Sequence, residues 1–389
     1  MDAQEKSISK PSLWSRDFIL ITLASLFMSL AFQMLLPIMP VYAENLGGST
    51  TAAGLVVGVF TFSAVIIRPI TGRLLDLYGR KGVYLAGLVF FGLCVIAYHW
   101  TPGILILLIL RFIHGFGWGA ASTASSTIAT DVTPKSRLGE GMGYFGLTST
   151  LSMAIAPVLG LSILNRYGMG AVFNVSALSV LLCLAIALMI RYQKSEQTPQ
   201  GNRGSIFEKS AIYPGLIILF LTMSYGAVIS FIALYAGQQG INNIGPFFTV
   251  YAVALFISRP LFGRLSDQKG YSIAIIPGIL AVSVALLILY FAHSLSGFCV
   301  AGFVYGLGFG AVQPALMAMA VRDVLPARRG AANGTFFVGF DIGIGVGAIT
   351  WGAVAEITGY RMIYLLAVLP VVIAFLLYLG KDRLTGQKN

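Results

Sequence analysis

The chain has 389 residues, of which 57% are hydrophobic and only 10% are charged, with a mean hydropathy of +0.85. This composition excludes a soluble domain, which needs far more polar surface. The net charge of +11 does not indicate nucleic-acid binding, because the basic residues form short clusters between apolar stretches. Clusters of this kind are typical of the loops of a polytopic membrane protein.

Twelve apolar segments follow one another along the chain, and each can cross the ~30 Å hydrocarbon core of a bilayer as a helix. The first follows Lys6, Lys10 and Arg16 but lacks a small-residue cleavage site, so we interpret it as a retained span rather than a signal peptide. The sequence therefore predicts an all-α integral membrane protein. The predicted helices cover residues 17–42, 52–70, 82–99, 103–129, 139–165, 169–190, 211–236, 244–262, 271–292, 296–321, 330–356 and 360–380.

The distribution of basic residues predicts the orientation of these spans. All 25 Lys and Arg residues except Arg111, Arg166 and Arg361 lie in the two tails, in the connections after even-numbered spans, or at the helix ends beside them. Cytoplasmic loops carry such an excess of positive charge. We therefore expect both termini on the cytoplasmic side of the cell membrane.

A repeated segment divides the chain into two halves. "RPITGRLLDLYGRKG" at 68–82 and "RPLFGRLSDQKG" at 259–270 share Arg-Pro, Gly-Arg-Leu, Asp and Gly at the same spacing, 191 positions apart. A polar segment at 191–210 falls between them and is predicted to be a cytoplasmic linker. Six helices separate the copies, so both halves have the same orientation. The repeat predicts six-helix bundles at 1–190 and 211–389, facing each other across a site near the midplane.

Three segments resemble motifs of the major facilitator superfamily. The first repeated segment is similar to motif A, and the fourth span, with "RFIHGFGWGA", is similar to motif B of its proton-coupled members. The fifth span is similar to motif C of exporters that work by antiport. The resemblance implies the major facilitator fold and a drug:proton antiporter. The positions that carry the match are Gly72, Leu74, Asp76, Gly79, Arg80 and Lys81 in motif A, Arg111, Gly115 and Gly117 in motif B, and Gly143, Pro157 and Gly160 in motif C.

Some positions depart from these motifs. Leu75 and Leu77 differ in motif A, and His114 stands where motif B has Gln. In motif C, Ser152 and Ala156 replace two glycines.

The repeated segment also contains a candidate gate. Gly72 and Gly79 are expected to permit a tight reversal between the second and third spans. A carboxylate such as Asp76 is stabilised by about 0.3–1 kcal/mol beside a helix N-terminus. The resemblance implies that this terminus belongs to the eleventh span, with Arg80 completing a charge cluster. Gly263 and Asp267 form the less complete second copy. The alternative is a loop that only sets topology.

Asp341 and Arg111 lie deep inside predicted spans, where a charge costs about 2.5–3.5 kcal/mol. Asp341 projects opposite a ridge of Gly339, Gly343 and Gly347, so it is predicted to face a cavity where a proton and a cationic substrate compete. The alternative is a structural acid that never titrates.

Arg111 and His114 also have two interpretations. Together they are candidates for moving protons. Otherwise Arg111 pairs with backbone carbonyls and holds the first and fourth spans in register, while His114 is a packing residue.

Polar residues inside spans tend to face inward, so four of them are predicted to line the substrate cavity. We expect a monomeric exporter of a small organic compound, cationic or amphipathic, with protons and the lipid bilayer as its other partners. A transporter of a specific metabolite, sugar or metal chelator, in either direction, is the alternative, and a membrane enzyme is a remote one. We expect no cofactor and no metal site, and interpret Cys94, Cys183 and Cys299 as packing residues. The predicted lining residues are Gln33, Tyr225, Gln313 and Asn333.

Overall fold

The computed structural model describes residues 12–47, 50–192, 205–241 and 244–385, and these residues form helices and short connections without strands. Most of the predicted linker, 193–204, lies outside the described residues. Twelve helical segments are long and apolar enough to cross a membrane, which confirms the predicted all-α integral membrane fold.

The twelve spans are α1, α3 to α12, and α13 together with α14; α2 is a short additional helix. The bounds are α1 Arg16–Leu35, α2 Ile38–Asn45, α3 Thr50–Tyr78, α4 Arg80–Ala97, α5 Ile104–Val132, α6 Leu138–Tyr167, α7 Met169–Leu188, α8 Lys209–Gln238, α9 Gly245–Lys269, α10 Ser272–Phe291, α11 Leu295–Val321, α12 Arg329–Thr358, α13 Tyr360–Leu366 and α14 Val368–Thr385.

Prolines account for most of the differences from the predicted bounds. The first predicted helix is broken at Pro37, and the twelfth is broken just before Pro370, because proline has no amide hydrogen to donate to the preceding turn. In contrast, α3 continues for nine residues beyond Pro69 and α9 for nine residues beyond Pro260. Helices in membranes tolerate such prolines when neighbouring groups satisfy the freed carbonyl.

Single glycines connect several consecutive spans. Gly79 and Gly270 have φ of 84° and 86°, and Gly168 and Gly359 have φ of 79° and 82°. Side-chain-bearing residues rarely adopt this left-handed backbone. Members of each pair lie 191 positions apart, so the turns repeat with the helices. The expectation that Gly72 also forms the reversal was wrong, because Gly72 lies inside α3.

The packing of helices follows the repeat as well. In the first half α1 packs on α6 and α7, and α3 packs on α5; in the second half α8 packs on α12, and α9 packs on α11. The halves meet where α3 contacts α12 and where α6 contacts α9. We call the membrane face at which α1 begins, predicted to be cytoplasmic, the basic side.

Candidate transport site

The first contact between the halves on the basic side is made by Asp76, near the end of α3. Its carboxylate accepts hydrogen bonds from the backbone N–H groups of Gly330 and Ala331, both at 2.9 Å, at the start of α12. Asp76 is only 5% exposed. Free N–H groups and the helix dipole both favour a negative charge there. We call Asp76, Gly330 and Ala331 the first latch.

Close approach of two backbones makes this latch possible. Gly72 on α3 lies directly against Gly330, so a Cβ atom at Gly72 would lie 2.5 Å from the Gly330 carbonyl oxygen. One turn along α12, Gly334 lies against the carbonyl of Arg68 in the same way. Gly72 is therefore a contact residue between the halves rather than a turn residue.

Buried charges surround the first latch. Arg80 donates to a carboxylate oxygen of Asp131 at 2.8 Å and also donates to the carbonyl of Pro326 in the other half. Arg329, at the start of α12, donates to the second Asp131 oxygen at 3.1 Å. Asp131 thus joins one arginine from each half. Sequence reasoning gave it no role, although its "DVTP" segment is echoed by "DVLP" at 323–326.

An equivalent contact, the second latch, is made by Asp267 near the end of α9. Its carboxylate accepts hydrogen bonds from the N–H groups of Gly139 and Glu140, both at 2.8 Å, at the start of α6. Gly263 lies against the Gly139 backbone, and Gly143, one of the motif C positions, lies against the carbonyl of Arg259. Every residue of this latch lies 191 positions from its counterpart in the first.

Near the middle of α12, Asp341 is paired with an arginine of the other half. Arg68 Nε lies 2.6 Å from Asp341 Oδ2, and both side chains are largely buried. Arg68 also donates to Ser122 and Thr123, at 3.1 and 3.3 Å. Asp341 is therefore not an unpaired charge in this conformation. Sequence reasoning missed Arg68 as its partner, because the predicted helix ended two residues after Arg68 and placed it at the membrane surface.

The glycine ridge beside Asp341 packs on α8, as its spacing predicted. Gly339 lies against Gly215, Gly343 against Leu219, and Gly347 against Met223. These contacts fix the rotation of α12 and direct Asp341 toward the first half of the protein.

The Arg111 side chain is completely buried within the first half. Its Nε donates to the carbonyl of Val56 on α3 at 2.9 Å, and its guanidinium lies 4.2 Å from the centre of the Phe60 ring. The register contact is therefore with the second span, not with the first as expected. His114, also fully buried, shares a hydrogen bond of 2.8 Å with the Tyr98 hydroxyl. Proton movement through Arg111 and His114 stays a prediction.

The predicted lining residues lie in different environments. Gln33 and Tyr225 are half-buried on α1 and α8, and Gln313 accepts a hydrogen bond from Arg259 at 2.6 Å. Asn333 is fully buried between the halves, where it accepts from Ser126 at 3.1 Å. Its role as a lining residue stays a prediction.

The other motif C positions lie on α6, away from the latches. Gly160 contacts Met34 and Ile38, so it sits where α6 packs on the first two helices. Pro157 lies within α6, and its side chain is outside the described set. Among residues the structure describes, no three His, Cys, Asp or Glu side chains are grouped as a metal site would require.

A two-fold repeated set of twelve spans, with charged contacts between its halves, defines the class of multi-pass membrane transporters. The profile of the Major Facilitator Superfamily matches residues 21–270 and 241–389, so the chain belongs to this superfamily, as its motifs indicated. The multidrug resistance protein MdtG of Serratia proteamaculans is 28% identical over 384 residues, covering 92% of each chain. An uncharacterized MFS-type transporter of Methanocaldococcus jannaschii is 26% identical over 361 residues, covering 89% of this chain and 93% of its own.

Solved structures share the same fold. The human organic anion transporter MFSD10 superimposes with a TM-score of 0.83 at 17% identity, covering 95% of this chain and all of its own. The fucose:proton symporter FucP of Escherichia coli gives a TM-score of 0.72 at 18% identity, covering 92% of this chain and 97% of its own.

Proposed function

We propose that the protein exports small organic compounds, amphipathic or cationic, across the cytoplasmic membrane in exchange for protons, and that it works as a monomer by alternating access. The observation that carries the proposal is the ion pair between Arg68 and Asp341, which joins the two halves near the midplane. An acid at this position can bind either a proton or a cation. The relatives named as multidrug resistance proteins support an organic substrate.

The ion pair supplies a physical basis for proton coupling. Ionised Asp341 holds Arg68 and keeps the halves together on the basic side. A proton that arrives from the opposite side neutralises the carboxylate, and Arg68 then loses the charge that attracts it. The halves can separate on the basic side, where the proton leaves and the substrate enters. Renewed ionisation of Asp341 draws Arg68 back, so each cycle moves a proton inward and a substrate outward.

The ion pair with Arg68 also changes how a proton and a cationic substrate would compete for Asp341. In the conformation described here, the cation held by Asp341 belongs to the protein itself. A cationic substrate would therefore reach Asp341 only after the halves have separated on the basic side. Release of such a substrate follows from the return of Arg68 to the carboxylate.

Asp341→Asn tests the coupling directly. We expect purified Asp341→Asn protein in liposomes to lose substrate-dependent proton movement, measured with a trapped pH-sensitive dye, because an amide cannot exchange a proton. Substrates for this assay come from an efflux screen in a host that lacks its own pumps, with and without an uncoupler. Asp17→Asn is the matched control, because Asp17 lies outside the site, where it accepts a hydrogen bond from the Arg191 backbone, and the variant should behave like wild type. Wild-type proton movement by Asp341→Asn would refute the coupling role.

A second measurement follows the two halves. Spin labels attached at the exposed residues Lys81 and Lys269, in a variant without native cysteines, report the distance between the halves on the basic side. Removal of the Asp341 charge leaves Arg68 buried without a counter-ion, which costs about 3–5 kcal/mol. We therefore expect Asp341→Asn to shift the label distances toward the separated form. Label distances equal to those of wild type would contradict this explanation.

A further inference from the structure

Two arginines at equivalent positions of the repeat have different partners. Arg68 and Arg259 lie 191 positions apart, and both extend toward the other half of the protein. Arg68 donates to Ser122, and Arg259 donates to Gln313, which is the residue equivalent to Ser122. Arg68 is neutralised by Asp341, whereas the position equivalent to Asp341 in the first half is Thr150. The second arginine therefore lacks the acid that its counterpart has.

Arg259 is a buried cation that has no counter-ion among the residues that the structure describes. It is 6% exposed and donates to the carbonyl of Gly146 and to the side-chain oxygen of Gln313. Its Nε has no hydrogen-bond partner, and Arg259 forms no ion pair with any residue in the described ranges. A guanidinium inside a membrane protein is stabilised by a negative group, by backbone carbonyls or by an aromatic face, as Arg111 is by the last two. Of these partners, a negative group binds most strongly. Neither the latches nor the Asp341 pair supplies one here.

Aromatic side chains lie beside Arg259 at the meeting point of the halves. Tyr225 of α8 is half-buried and stacks on Phe309 of α11, with ring centres 5.0 Å apart and planes at 16°. Phe309 is one helical turn from Gln313, so both lie on the same face of α11. The Tyr225 hydroxyl contacts the sulfur of Met153 in the first half at 3.8 Å. Tyr225 also interacts electrostatically with Arg259, so an aromatic ring of the second half lies beside the cation.

We infer that Arg259 and Gln313, with the aromatic surface of Tyr225 and Phe309, bind an amphipathic organic anion: an aromatic ring that carries one carboxylate. Arginine recognises carboxylates by paired, charge-assisted hydrogen bonds, and Arg259 still has a free N–H donor. Phe309 is 3% exposed and supports Tyr225 from behind, and the half-buried Tyr225 ring stacks against the ring of the ligand. This inference rests on the proposed function: of its two substrate classes it selects the amphipathic compound, gives that compound a negative charge, and sets the cationic class aside.

Three probes that share a ring and differ in charge test the inference: 1-naphthoate, the neutral 1-naphthamide, and the 1-naphthyltrimethylammonium cation. Binding to the full chain in lipid nanodiscs is measured by calorimetry. We expect wild type to bind 1-naphthoate about tenfold or more tightly than 1-naphthamide, as loss of a hydrogen bond to a charged group implies. Equal affinities, or preference for the cation, would overturn the inference without any variant.

Two variants locate the preference at Arg259. Arg259→Gln removes the cation, and Thr150→Asp places a carboxylate where the repeat would put it, so that Arg259 becomes paired as Arg68 is. We expect either variant to lose the preference for 1-naphthoate while its affinity for 1-naphthamide changes less than about threefold. Arg259→Lys should keep part of the preference. Wild-type affinity for 1-naphthoate in both Arg259→Gln and Thr150→Asp would refute the site.

The binding experiment tests the anion site independently of proton coupling. Charge preference is measured at equilibrium without a pH gradient, so it does not depend on proton movement, and the Asp17→Asn control should keep it. A protein that discriminates by charge but moves no protons would refute the proposed antiport and leave the anion site standing. A protein that couples to protons but binds all three probes alike would refute the anion site and leave the proposed antiport standing.

Discussion

The two latches are the same device placed in different surroundings. In each, an aspartate near the end of one helix accepts two backbone N–H bonds from the start of a helix in the other half, at 2.8 to 2.9 Å. Around the first latch, Asp131, Arg80 and Arg329 are all nearly buried. Around the second, Glu140 pairs with Arg137 and Arg264, whose side chains are 21% and 58% exposed.

The difference in burial decides how much each latch contributes. Solvent and salt weaken exposed ion pairs to about 0–1 kcal/mol, whereas loss of one partner from a buried pair costs about 3–5 kcal/mol. Identical hydrogen-bond geometry therefore does not imply identical energy. We expect the first latch to dominate closure of the basic side and the second to adjust it.

The largest expected effect comes from Asp131→Asn, which leaves Arg329 buried without its counter-ion and leaves Arg80 only its longer contact with Asp76, at 3.6 Å. We expect a loss of about 3–5 kcal/mol from the closed form, seen as longer distances between labels at Lys81 and Lys269. Asp323, which opens the echoed "DVLP" segment, is exposed. Asp323→Asn should keep wild-type distances. Equal effects of the two variants would contradict the claim that burial of the ion pair sets the size of the effect.

The latch aspartates should show an intermediate effect with a clear order. Each of the two N–H groups donates to a different carboxylate oxygen. In Asn one of these oxygens is replaced by NH₂, which then faces the second donor. We expect Asp76→Asn to destabilise the closed form by about 1.5–3 kcal/mol, because Asp76 is buried. Asp267→Asn should cost only about 0.3–1 kcal/mol, because Asp267 is partly exposed. Transport rates and label distances measure both, and the opposite order would contradict the comparison.

Glu140→Gln should have a smaller effect that depends on salt. The variant loses the pairs with Arg137 and Arg264, which face solvent. We expect at most about 1 kcal/mol at low ionic strength and almost no difference from wild type at 1 M salt, where the screening length falls to about 3 Å. The Asp131→Asn effect should persist at high salt. Persistence of the Glu140→Gln effect in 1 M salt would show that the second latch is more buried than its exposures indicate.

Scrambling residues 195–204 should have the smallest effect of all. The segment is polar and rich in Gly, Ser and Gln, and the cost of closing a flexible loop depends on length far more than on sequence. Transport at the wild-type rate is the expected result. Loss of transport in a protein that still reaches the membrane would assign the linker a function of its own.

The architecture was predicted correctly from the sequence, because the length of the hydrophobic segments and the position of the basic clusters directly reflect the bilayer. The family resemblance of motif A implied that Asp76 lies beside the start of the eleventh span, and the structure places it there. The glycine ridge near Asp341 was readable for a similar reason, because a spacing of four residues fixes one helix face.

The contacts between the two halves were harder to predict from the sequence. Arg68 seemed to lie at a helix end because Pro69 follows it, yet α3 continues to Tyr78. Periodicity describes one helix at a time, so it did not predict that Arg68 meets Asp341, 273 positions away. Asp131 was missed because a single acid at a helix end looks like an ordinary surface residue until both arginines are in place.

The reciprocal latches also bear on the origin of the molecule. Each half carries one donor terminus and one acceptor acid: the first has Gly139 and Asp76, and the second has Gly330 and Asp267. Two copies of either half could therefore close on each other through the same contacts, which is the self-complementary surface of an isologous dimer. Fusion of two identical subunits would give a chain of this kind. Later divergence would then have made the two sides of the pathway chemically different. One trace of it is Thr150, which occupies the position in the first half that is equivalent to Asp341.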